Sequence, residues 1–168
     1  MKNLRHIVSF IFLMTLFISC KPSQQTIVKA TEEIPYFTFY TLDQQRFTKD
    51  SFDTERTKFI LYFNSECDHC QKQARWLKKG IQENQTAFKQ LEMIFISFEE
   101  MSMIKGYRDK YQFTQNNITF LQDSRLTFAD KFGVGSFPSI LIYSKEGKLI
   151  KKFEGETKVE DLLPFITK

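Results

Sequence analysis

At 168 residues the chain is long enough to bury one ordinary core, and its 19 phenylalanines point to a packed aromatic interior rather than a disordered chain. Its 24 Lys and Arg against 20 Asp and Glu leave a formal charge of +4 with no basic stripe, which argues against nucleic acid as a partner. Three cysteines, only two of them close in sequence, exclude a disulfide-stapled scaffold.

In chain order, residues 1–6 are short and basic and residues 7–18 are apolar. That run is shorter than the roughly 20 residues a membrane-spanning helix needs, and it reads as a secretory leader. It closes on Ser19-Cys20, a small residue before a cysteine, which resembles a bacterial lipoprotein signal. The resemblance implies cleavage before Cys20 and lipid on its sulfur. Several acyl chains anchor a protein stably, at about 0.8 kcal/mol per buried methylene. The polar residues 20–33 read as a tether. The expected organisation is therefore a leader over 1–19, a tether over 20–33 and one domain over 34–168.

Within the domain, residues 36–42 are β-prone, with a turn at 43–45 and a short strand at 46–48. Residues 58–63 (Lys-Phe-Ile-Leu-Tyr-Phe) are almost continuously apolar, as expected of a strand buried on both faces. A helix is expected over 67–84, because Cys70, Ala74, Leu77 and Ile81 recur at helical spacing. Residues 91–98 form a second buried strand. Residues 100–111 form a helix with Ile104, Tyr107 and Tyr111 on one face. A short strand over 118–121 and a short helix over 126–132 follow, the helix closed by Gly133 in a left-handed cap. Residues 139–143 and 149–153 make a hairpin across the turn at 144–147. The last helix is expected to start at Thr157, where Thr157 and Glu160 have capping-box spacing, and to bury Val159, Leu162, Leu163 and Ile166. The pattern is that of an α/β fold: a central mixed sheet flanked by helices, with an extra N-terminal β segment.

The chemistry gathers where the first buried strand gives way to the first long helix. There Asn64-Ser65-Glu66 is followed by Cys67-Asp68-His69-Cys70. A helix N-terminus presents unpaired N–H groups and about half a positive charge, which favours a thiolate, the nucleophilic form. The second cysteine sits one turn in, close enough to close a disulfide. This arrangement suits thiol–disulfide exchange.

Together with Gly133-Val134-Gly135-Ser136-Phe137-Pro138-Ser139 ahead of a hairpin and a last helix, the C-x-x-C resembles the thioredoxin superfamily. The leading segment, the leader and Cys20 resemble its membrane-anchored TlpA/ResA type. The resemblance implies a bacterial envelope thiol–disulfide oxidoreductase, lipid-anchored and facing the periplasm, more often a reductant. It implies a cis Pro138 against the Cys67–Cys70 pair, and substrate pairing with the backbone of Phe137. It implies protein thiols and disulfides as partners and a membrane electron donor for recharging. It implies no cofactor, no metal, and a monomer. Departures from the family pattern are Glu66 in place of a Trp, Asp68-His69 between the cysteines, a bulky Phe137, and Leu61 where thioredoxin has a buried acid.

His69, Glu66 and Asp68 are candidates for redox tuning. A protonated His69 near Cys67 would stabilise its thiolate and make the disulfide more oxidising; the two acids push the other way. Two alternatives share the fold. A metal (copper) chaperone would use Cys67, Cys70 and His69, fewer ligands than a closed zinc site needs. A thiol peroxidase would need a nucleophile setting that is missing ahead of Cys67.

Overall fold

The computed structural model describes residues 31–167, so the leader, Cys20 and most of the tether lie outside the described residues. Seven strands form one mixed sheet in the order β2-β1-β5-β4-β3-β6-β7. They are β1 (Thr38–Thr41), β2 (Arg46–Thr48), β3 (Lys58–Tyr62), β4 (Glu92–Ser97), β5 (Ile118–Gln122), β6 (Ser139–Tyr143) and β7 (Leu149–Glu154). Strands β3, β4 and β5 run parallel, while β6 lies antiparallel to β3 and β1 antiparallel to β5. Before β1, Glu33 bridges Lys148 and the Ile34 N–H donates to the Gly147 carbonyl at 3.0 Å, which ties the entering chain to the β6–β7 turn.

Among the described residues, a 3-10 turn (Lys49–Ser51) and five α-helices complete the fold: α1 (Asp68–Glu83), α2 (Gln85–Lys89), α3 (Met101–Tyr111), α4 (Phe128–Phe132) and α5 (Val159–Ile166). Strand side chains alternate between faces. Phe59, Leu61 and Phe63 therefore pack with α1, α3 and α5, while Ile60 and Tyr62 pack with β1, β2 and α4 on the opposite face. Among the described residues no helix is long and apolar enough to cross a membrane.

The first long helix runs as expected between the caps Cys67 and Asn84, and a short helix that was not expected, α2, follows it and buries Phe88. Two local expectations are corrected. Helix α4 begins at Phe128 rather than 126, because the Asp123 carboxylate accepts the Phe128 N–H at 2.7 Å and Leu126 is held at φ 54°. No capping box forms on Thr157. Its N–H donates to Gln73 Oε1 at 2.7 Å and its hydroxyl to the Gly155 carbonyl, so Lys158 takes the N-cap position.

Candidate active site

The parallel strands β3 and β4 deliver their C-terminal ends to one edge of the sheet. Because β6 is antiparallel to β3, its beginning lies at that same edge, with Tyr62 paired to Ser139. The loop after β3 and the Phe137–Pro138 step before β6 are therefore neighbours, though distant in sequence.

Asn64 shapes the loop. Its Oδ1 accepts the N–H groups of Glu66 and Cys67, both at 3.0 Å, an Asx-type turn that leads directly into α1. Cys67 is the N-cap residue, half-buried, and its carbonyl accepts the first helical bond from Gln71 at 3.0 Å. Cys70 is fully buried in the helical core, and both thiols are unbridged. Burial pushes the Cys70 thiol up to about 12. The Asn64 N–H, 3.4 Å from its sulfur, works against that, while a hydrogen bond and charge from Cys67 and the charge of Glu99 add to it.

The Phe137–Pro138 bond is cis. Pro138 is buried, and its carbonyl accepts the Gly155 N–H at 2.8 Å. The Phe137 ring packs on Tyr62 (4.6 Å between centroids) and Phe98 (5.8 Å), so this bulky residue is an aromatic brace between the two core layers.

Sequence reasoning missed Glu99. Leu61 is wholly buried and apolar, yet a carboxylate still reaches this edge, from just beyond β4. Glu99 is 7% exposed and its carboxylate accepts three hydrogen bonds: Ser65 N–H (2.7 Å), Ser65 Oγ (2.7 Å) and Ser97 Oγ (2.8 Å). It thereby clamps the Cys67 loop to the end of β4. Tyr107, stacked on Phe63, donates its hydroxyl to the Cys70 carbonyl at 3.1 Å.

Glu66 and Asp68 are exposed at the mouth of the helix. His69 is exposed too, and its Nδ1 lies 2.6 Å from Glu156 Oε1. The other Glu156 oxygen is 2.5 Å from Lys72 Nζ. These partners, Lys72 first and His69 second, hold the Glu156 carboxyl below the usual carboxylate range.

A family model described as a thioredoxin-like domain matches residues 48–168. In solved structures the chain is similar to DsbF of Mycobacterium tuberculosis, at TM-score 0.65 and 17% identity over 83% of this chain and 98% of that one. It is similar to StoA of Bacillus subtilis, at TM-score 0.63 and 11% identity over 82% and 100%. It is also similar to the thioredoxin domain of a thiol-disulfide oxidoreductase from Bacteroides vulgatus, at TM-score 0.64 and 17% identity over 83% and 96%. At these identities the likeness is one of fold. No curated protein sequence matches the chain.

Proposed function

Because the chain belongs to the family of thioredoxin-like domains, we propose that it is a thiol–disulfide oxidoreductase acting through Cys67 and Cys70 on protein substrates, in the reducing direction. We place it as a monomer on the outer side of a bacterial membrane, anchored by lipid on Cys20, with residues 20–33 as tether and a membrane electron donor to recharge it. The observation that carries the reading is the pair itself: a half-buried thiol at the N-cap of α1, a buried thiol one turn in, and the cis Phe137–Pro138 step at the same sheet edge.

The geometry orders the two steps. Cys70, with its thiol pushed up to about 12, holds its proton at neutral pH, so Cys67 is the sulfur that attacks a substrate disulfide. Once the Cys67 sulfur is bonded to substrate it carries no charge. Two of the influences that raise Cys70, the hydrogen bond and the charge of Cys67, are then gone. Cys70 loses its proton, attacks the Cys67 sulfur and expels the reduced substrate, leaving the Cys67–Cys70 disulfide. Phe137, before the cis bond, is the backbone position against which a substrate strand would lie. The charge of the buried Glu99 raises the Cys70 thiol, which disfavours its thiolate and so favours the reducing direction.

Trapping tests this directly. Cys70→Ser is expected to accumulate mixed disulfides with envelope proteins in cells, and Cys67→Ser none. Labelled fatty acid should enter the wild-type protein and not a Cys20→Ala variant. Mixed disulfides that form equally without Cys67 would sink the activity, and unlabelled wild-type protein would sink the anchor.

A further inference from the structure

Position 69 lies between the two cysteines, where an imidazolium would stabilise the Cys67 thiolate and make the disulfide a stronger oxidant. The structure gives this ring another partner. A carboxylate only accepts hydrogen bonds, so the 2.6 Å contact fixes the proton of His69 on Nδ1, donating to Glu156 Oε1. Lys72, one turn further along α1, meets the other oxygen of the same carboxylate, and its Nζ lies 4.9 Å from the centre of the Trp76 ring. Both basic side chains on this side of the first turns of α1 thus meet one acid.

That acid is placed by the fold. Glu156 stands in the loop between β7 and α5, beside Thr157. Gln73, fully buried on α1, grips Thr157 twice: its Nε2 donates to the Thr157 carbonyl at 2.9 Å, and its Oε1 accepts the Thr157 N–H at 2.7 Å. The Gly155 N–H is bonded to the Pro138 carbonyl at 2.8 Å, so the loop is anchored to the cis-proline step as well. The Glu156 side chain is only 18% exposed, against 71% for His69. The carboxylate is the more enclosed member of the pair and the imidazole the more exposed one.

We propose that Glu156 is a positioning residue that occupies the His69 imidazole and, by countering His69 and Lys72 together, withholds positive charge from Cys67 and keeps the Cys67–Cys70 pair on the reducing side. This rests on the oxidoreductase reading and deepens it: the direction of electron flow is set from a loop remote in sequence from the C-x-x-C.

The test is equilibration of the intact protein with mixtures of reduced and oxidised glutathione at pH 7, with the dithiol fraction read by alkylation. In this two-electron exchange Cys67 attacks oxidised glutathione and releases one glutathione thiolate. Cys70 then attacks the Cys67 sulfur and releases the second, its proton passing to solvent. Glu156→Gln takes the counter-charge from Lys72 and the carboxylate acceptor from the His69 ring, and is expected to shift the equilibrium constant toward the dithiol by about 3- to 10-fold, the upper figure being about 30 mV. In a His69→Ala background the same substitution is expected to shift it less than in the wild-type background, because only Lys72, one turn further along α1, is then uncovered. An unchanged constant in Glu156→Gln overturns the proposal, and so does an equal shift with and without His69, which would make Glu156 a bulk charge. A wild-type pair that never exchanges with glutathione overturns the oxidoreductase reading and this inference with it. A pair that exchanges but ignores Glu156 overturns the inference alone.

Discussion

Strand β3 sends Phe59, Leu61 and Phe63 to one face of the sheet and Ile60 and Tyr62 to the other, and the two faces differ in what they hold. The face under α1, α3 and α5 mixes aliphatic and aromatic side chains with polar groups: the Cys70 sulfur, the Gln73 amide and the Tyr107 hydroxyl, each with a hydrogen-bond partner. The face under α4, to which β1 and β2 contribute Phe39 and Phe47, is a mesh of rings. Phe37 stacks on Phe39 at 4.7 Å, Phe128 on Phe132 at 4.2 Å, and Tyr62 lies 4.5 Å from Phe128. Well-placed ring pairs add about 0.5–1.5 kcal/mol beyond the area they bury. Ring pairs occur on both faces, Phe63 on Tyr107 at 4.2 Å among them, but the Cys70 thiol and the polar groups that partner it lie under the helices. Phe137 touches both faces, which braces the cis-proline step between them.

The two faces can be damaged separately. Phe128→Ala, on the aromatic face, is expected to cost about 3–5 kcal/mol in chemical denaturation. Its exchange rate per folded molecule should stay near wild type. A proportional loss of rate would show that the aromatic face takes part in the chemistry.

A smaller effect is expected within the helical face. A Cβ on Gly80 of α1 would run into both methyls of Val159 on α5. Val is stiff at χ1 and cannot swing aside. Gly80→Ala should therefore destabilise by about 1–3 kcal/mol, despite the better helix propensity of Ala. A stability at or above wild type would mean that α5 rides loosely on α1.

The smallest effect lies at the far end of the sheet from the thiols. Burial lifts the Glu92 carboxyl to about 7, against opposing contributions from the Asp53 N–H, 3.0 Å away, and from Lys58, its cross-strand neighbour. With its folded value above the ordinary 4.5, Glu92 binds its proton more tightly in the native state. Its stabilising contribution is complete below pH 4.5 and is lost as pH rises through 7. Glu92→Gln should flatten the slope of unfolding free energy against pH across that window, and an unaltered slope would locate the pH dependence elsewhere.

Much of this was legible beforehand. The nearly continuous apolar runs of β3 and β4, the helical spacing from Cys70 to Ile81, and Gly133 at φ 64° are local patterns that the fold preserves. Cys67, Cys70 and Pro138 stood out by residue type and spacing. Glu99 and Glu156 did not, because a lone acid after a strand or in a hairpin-to-helix loop looks like any solvated loop residue. Thr157 misled for the related reason that its spacing to Glu160 fits a cap, while a buried Gln73, 84 residues away, claims its backbone.

By itself the sequence determined where the strands and helices lie, that two thiols begin a helix, and that a proline opens the strand after it. These follow from periodicity and backbone preference, which act over a few residues. Tertiary structure alone decided which acids stand near those thiols and which partner the imidazole takes. Charges interact through space, and only the folded sheet brings β3, the end of β4 and the loop before α5 to one edge.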